Sequence, residues 1–401
     1  MQLSRPADKY NPLYFLASVG AGGLSVTFFM YLMFWVPHKD RPVPIFEDLI
    51  AVMQSGSMGL KIAVIAAWAG IAAMVFLNLK YLVWNLNQFS AFKKTDAYAA
   101  LKSSNGETTI LAMPLALAMS VNGMFVAGLV FVPGLWSIVE YLFPLAMLAF
   151  LAIGIVALAY IGDFLGRVLT KGGVFDVTAH NSFAQMLPAF ALSMVAVGFA
   201  APAAMSHTAA VVAISLVGST FFGTAAIVYA LVALVTAFNS MLHYGTSKES
   251  APTLMIVIPI LTVLGIMFMR QTHGLHETFN VHVTPAETMV FLARLLTIQL
   301  LFALLGLAVL ARQGYWKSFV FGAETSPGSY ALVCPGVALS VLTHFFLNAG
   351  LVKAGVLDKF SALYWGGTAI ALVLQFAMIA LVLRLNKQHF DRSQAVAQPA
   401  E

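Results

Sequence analysis

Charge is what this sequence has least of. Only 9% of its 401 residues are Asp, Glu, Lys or Arg, against about 25% in a soluble globular domain. A chain so poor in charge, with 60% of its residues hydrophobic, cannot cover a water-facing surface and belongs in a bilayer. The net charge of +5 is small for this length. It argues against a nucleic-acid partner and fits basic loops on the cytoplasmic side of a membrane.

Cysteine is nearly absent too. The single Cys334 can form no internal disulfide, so no redox compartment follows. Walker, HExxH and GxSxG motifs are missing, which removes ATP-driven transport within this chain and the zinc-protease and hydrolase chemistries. No polar stretch between the apolar runs is long enough for a soluble domain. His180, His207 and His243 fall at the ends of apolar runs, which argues against a b-type haem held between facing helices. The N-terminal MQLSRPADKYN leads into an apolar run too long for a signal-peptide core, so the first run is expected to be a retained span.

A spanning helix needs about 20 mostly apolar residues. That criterion predicts an all-α polytopic membrane protein with ten transmembrane helices, over 12–37, 58–84, 108–131, 137–161, 182–203, 208–238, 252–270, 288–312, 328–352 and 359–385. One domain, 1–385, holds all ten, and 386–401 reads as a cytoplasmic C-terminal tail. With the N-terminus and the loops after the even spans on one side, that side carries fourteen basic residues, among them Arg5, Lys80, Lys93, Lys94, Arg167, Arg384 and Arg392. The other carries Lys39, Arg41, Lys61, Arg270, Lys353 and Lys359. The bias predicts both termini in the cytoplasm and insertion in the plasma (inner) membrane.

The odd spans share a pattern. Each has a proline in its first half: Pro12, Pro114, Pro188, Pro259 and Pro335, at steps of 102, 74, 71 and 76 residues. A hydroxyl follows each: Ser18, Ser120, Ser193, Thr262 and Ser340. Among the even spans only the fourth has a comparable proline, Pro144, and no hydroxyl follows it at that distance. A shared period of this kind is what repeated hairpins leave in a sequence. Prolines are common in membrane helices, which is the blander reading. A proline removes an N–H and clashes one turn back, and freed backbone groups are tolerated only against protein or a water-filled cavity. The odd spans are therefore expected to be kinked helices around a central pore, with the even spans facing lipid.

The ninth span, YALVCPGVALSVLTHFF, concentrates the candidates. Cys334 precedes Pro335, whose break should aim the thiol, and a helix restarting there would set its dipole near the sulfur. A free cysteine is also often a small buried hydrophobe. His344 is the one histidine well inside a span, and Asn122 and Asn348 are amides on odd spans; such groups face a cavity or are satisfied by a neighbouring helix. Glu287 and Arg294, seven residues apart, read as a structural pair on one helix face. His273, His276, His282 and Glu277 share a loop but fit no strong zinc spacing, so no metal and no cofactor is expected.

Ten spans as five hairpins around a pore resemble the tellurite-resistance/dicarboxylate transporter and slow anion channel superfamily (TehA-like), over roughly 12–385. The resemblance implies a small anion as substrate and a homotrimer. In that family a phenylalanine on the ninth span plugs the pore near a proline; Cys334 stands at the matching position, and being smaller it departs from a steric plug. The chain also resembles the TsoY-like branch, some of whose members carry selenocysteine. The spans read by themselves support the same function: no Asp or Glu lies in the odd spans as drawn, whereas a cation path needs acidic rings. An anion channel or a coupled carrier is expected, with a constriction at Cys334 and Pro335. Its lining would be Ser18, Ser120, Asn122, Ser193, Thr262, Ser340 and His344. The alternative on the same frame is a membrane-embedded thiol-dependent redox enzyme or sensor.

Overall fold

The computed structural model describes residues 6–39, 41–171, 175–178 and 182–390. Arg5, His180, Arg392 and the end of the expected tail lie outside these. Among the described residues every regular element is a helix, and ten are long and apolar enough to cross a membrane. They are α1 (Pro12–Trp35), α2 (Met58–Phe92), α3 (Asn105–Phe131), α4 (Leu135–Lys171), α5 (Phe183–Met205), α6 (Ala209–Tyr244), α7 (Ala251–Phe279), α8 (Pro285–Arg312), α9 (Pro327–Val352) and α10 (Ala362–Phe390).

Several helices outrun their apolar windows. The second, fourth and sixth have 35, 37 and 36 residues, where a perpendicular crossing takes about 20. Hydropathy reads the thickness of hydrocarbon, but the helix continues as long as polar residues of adequate propensity follow. The last helix likewise runs on to Phe390, so 386–390 is not tail. Asn386 accepts from the Tyr330 hydroxyl at 2.9 Å, and Phe390 stacks on Tyr81 with ring centroids 4.9 Å apart.

The extensions also bring two acids into odd helices: Glu107 in α3 and Glu277 in α7. Glu107 is buried and ion-paired with Arg167, with Lys102 at 3.5 Å.

The five odd prolines lie at the entrances of their helices and not in mid-helix. Each odd helix is entered through a 3-10 turn, and the proline lies at or beside the change to α geometry. Pro12 opens the turn Pro12–Tyr14 before Phe15–Trp35. Pro188 is the second residue of Leu187–Met205. Pro114, Pro259 and Pro335 are each the third residue of an α segment, in Ala112–Phe131, Val257–Phe279 and Val333–Phe345. At such a change of geometry a proline forfeits at most one bond back to the 3-10 turn, and its fixed φ suits the start of the α segment. Side chains of Asn11, Ser104, Ser182 and Ser326 cap four of the five 3-10 turns. The repeated feature is a helix entrance.

Burial separates the two sets of helices. In the central windows of the odd helices 61–94% of residues are buried, against 17–33% in the even ones. Each odd helix packs on the odd helices before and after it, and α9 packs on α1, which closes a ring of five. Each odd helix also packs on the even helix that follows it. Glycines set the approach at several crossings. A Cβ on Gly70 of α2 would stand 2.4 Å from the ring of Phe28 of α1, and one on Gly198 of α5 would stand 2.3 Å from the ring of Phe150 of α4.

Candidate functional site

Inside the ring lies a cavity of about 1510 Å³. Its wall comes mainly from the odd helices, through Gly23, Met119, Met194, Val263 and Val337 among others. It opens where the odd helices end, beside Pro37, His38, Val43, Arg270, His273 and Lys353.

The deep end closes on three residues. Phe190, Pro259 and Cys334 line the cavity and also line a pocket of about 10 Å³ beyond it. The pocket's other residues are Leu16, Leu187, Thr253, Ile256 and Ala331. All of them precede the floor residues or the cavity-lining stretch on their own helices, so the pocket lies on the entrance side of the ring. The three shared side chains are thus the partition between the two spaces. Cys334 is 7% exposed; of the two residues expected at the constriction it lines the floor, and Pro335 lines neither space. Phe190 was not singled out in the sequence. Its one signal was an aromatic two residues past Pro188.

The mouth is basic. Lys39, Arg41, Arg270, Lys353 and Lys359 line it with His38, His273 and His276, and among the described residues Glu287 is the one acid on the lining. Arg41 is ion-paired with Asp48, which also caps the short helix Phe46–Ser55. Arg270 is held in place by a bond from its Nη1 to the carbonyl of Val197, 2.8 Å. Burial lowers the ammonium pKa of Lys359 below the ordinary lysine range. Glu287 does not pair with Arg294: no ion pair joins them among the described residues. Its carboxylate instead accepts from the Thr284 N–H at 2.8 Å and the Thr284 hydroxyl at 2.9 Å, a capping box at the start of α8.

Of the side chains expected to line a path, Thr262, Asn122 and Cys334 do, with Asn348. The four serines do not. Ser18 turns outward and donates to the carbonyl of Asn78 on α2, 2.9 Å. Ser340 turns outward to the carbonyl of Ala371 on α10, 2.8 Å. Ser120 and Ser193 bond back to Ala116 and Phe190 within their own helices, both at 2.8 Å. A hydroxyl in an apolar helix needs an acceptor, and the carbonyl one turn back is always within reach.

His344 also stands off the cavity wall. Its ring lies 6.3–6.4 Å from those of Tyr31, Phe34 and Trp35, and neither ring nitrogen has a partner among the described residues. One turn on, α9 widens into a π-helical segment, Phe346–Val352, a departure that often marks functional sites. There Asn348 donates to the His344 carbonyl at 2.8 Å and accepts from the Tyr364 hydroxyl at 2.9 Å.

No group of three or more His, Cys, Asp or Glu side chains is placed to hold a metal among the described residues. His276 and His282 do approach, with ring centroids 4.9 Å apart.

These features define an integral membrane protein: ten helices able to cross a bilayer, enclosing a basic-mouthed, apolar-walled cavity that ends at Phe190, Pro259 and Cys334. No protein-family model and no curated protein matches the chain.

Proposed function

We propose that this chain is a membrane anion channel or transporter, built as five helical hairpins whose odd members surround a central path. The observation that carries the reading is the cavity of about 1510 Å³ within the odd helices, ringed by cations at its mouth and stopped by Phe190, Pro259 and Cys334. Cations at a funnel mouth raise the local concentration of anions. The two acids that enter the odd helices do not alter the sign of the path. Glu107 is neutralised by Arg167, and Glu277 lies past Arg270 at the far end of its helix. With both termini in the cytoplasm, the cavity opens to the outside and the partition lies on the cytoplasmic side. The thiol-dependent alternative keeps only the position of the Cys334 sulfur at the floor, where no base or cation lines the partition with it.

The test is flux in proteoliposomes driven by membrane potential alone, with chloride and nitrate offered. Cys334→Phe is expected to abolish flux, Cys334→Ala and Cys334→Ser to retain it, and Phe190→Ala to raise it. Reversal potentials that follow a monovalent cation gradient would refute anion passage. Loss of flux in a normally expressed Cys334→Ser variant would favour thiol chemistry.

A further inference from the structure

The cavity holds a contradiction for a small inorganic anion. Its cations sit at the mouth, and its wall below them is apolar. Arg270 is eleven residues past Pro259 on α7, about 16 Å along the helix axis at 1.5 Å per residue. Over that depth the wall presents Met119, Met194, Val263, Val337 and Val341.

The polar groups on the wall are already committed to protein. Asn122 Nδ2 donates to the Ala118 carbonyl at 3.2 Å and to Met194 Sδ at 3.4 Å. The Thr262 hydroxyl donates to the Ala338 carbonyl at 3.1 Å, and its oxygen accepts from Gln299 at 2.6 Å. Asn348 is bonded through both ends of its amide. A bare anion descending past Arg270 would lose hydration and gain at most the second amide N–H of Asn348, which is costly. Methionine and valine walls offer it nothing, but they suit an apolar body of variable shape.

At the mouth the position is reversed. The guanidinium of Arg270 commits one donor to Val197 out of five, so the rest of the group is available to a head group. Lys353 and Lys359 stand with it on the lining.

We propose that the cavity is a binding site for a water-soluble amphipathic organic anion, a carboxylate or sulfonate with an apolar body. The head is held at Arg270, and the body lies on the methionine and valine wall above Phe190 and Cys334. This rests on the reading of the cavity as an anion site and names its substrate class. The shared chemistry of a membrane lipid is set aside because the cations ring the end of the ring of helices and not its lipid-facing sides.

The experiment is equilibrium binding to the full chain in nanodiscs of zwitterionic lipid at low ionic strength, with radiolabelled acetate, hexanoate, benzoate and chloride. Affinity is expected to rise at least tenfold from acetate to hexanoate. Arg270→Gln, which keeps a donor for the Val197 carbonyl, should weaken hexanoate at least tenfold, and Arg270→Lys should retain most of the binding. Val263→Phe, which fills the wall and leaves the mouth intact, should weaken hexanoate more than acetate. Equal affinity for acetate and hexanoate, or unchanged hexanoate binding in a well-folded Arg270→Gln variant, overturns the proposal. Displacement of hexanoate by phosphatidylglycerol in the disc overturns the choice of a soluble ligand. Chloride flux without hexanoate binding removes this inference and leaves anion passage standing. Hexanoate binding without flux of any anion does the reverse.

Discussion

Asn78 on α2 and Ser18 on α1 are bonded to each other three times. The amide Nδ2 donates to the Ser18 carbonyl at 2.8 Å and to its hydroxyl oxygen at 3.0 Å, and the hydroxyl donates to the Asn78 carbonyl at 2.9 Å. Both residues are fully buried. This is how an odd helix is tied to its even neighbour where the lipid offers no hydrophobic drive. Interhelical bonds in membranes are worth about 0.6 kcal/mol on average. Asn78→Leu is therefore expected to destabilise the protein by about 1 kcal/mol for the two amide bonds lost. Ser18→Ala should cost less and leave anion selectivity unchanged, because Ser18 does not face the cavity. Reversible unfolding in mixed micelles, with flux in parallel, checks both.

The contact between Gly198 and Phe150 sets the distance from α5 to α4. A Cβ at Gly198 would meet the Phe150 ring at 2.3 Å. Gly198→Ala should destabilise by about 1–3 kcal/mol, the usual range for overpacking. Phe150→Leu in the same chain should restore most of the loss. Thermal unfolding of the single and double variants measures the coupling, and an additive result would show that the ring is not what the new methyl meets.

Arg167 and Lys102 neutralise the buried Glu107 carboxylate at the entrance of α3. Removing one partner of a buried pair leaves an uncompensated charge, which costs about 3–5 kcal/mol. Arg167→Gln should fall near the lower end of that range, because Lys102 remains at 3.5 Å. Adding Glu107→Gln should recover most of it. Folded yield and unfolding temperature across the three variants test this.

Lys359 gives the cavity mouth a pH dependence. Burial lowers its pKa, so its charge is lost at a lower pH than that of an ordinary lysine, which titrates at about 10.4. Anion affinity should accordingly decline on the alkaline side, and Lys359→Arg, which stays charged throughout, should remove that decline. A binding-against-pH profile of the two proteins reads the difference directly.

The sequence by itself determined the membrane, the number of spans and the difference between odd and even helices. Each of these follows from composition and local order: an apolar run long enough to cross, and a proline followed by a hydroxyl in each odd span. It also brought Cys334 to notice, because a lone cysteine before a proline in an apolar run is a local signal.

Only the tertiary structure decided what the repeated residues do. A proline in sequence reads as a break; whether it bends a helix or begins one depends on where the preceding 3-10 turn ends, and here it begins one. A hydroxyl has no direction in sequence. Ser18 and Ser340 turn outward because Asn78 and Ala371 offer carbonyls there, while Thr262 reaches the cavity wall between Ala338 and Gln299. Phe190 joins Pro259 and Cys334 across three different odd helices, and no spacing along the chain encodes that meeting. The basic mouth was equally scattered, since Lys39, Arg270 and the pair Lys353 and Lys359 come from three separate hairpins. They become one electrostatic feature only when closure of the ring brings those helix ends around one cavity.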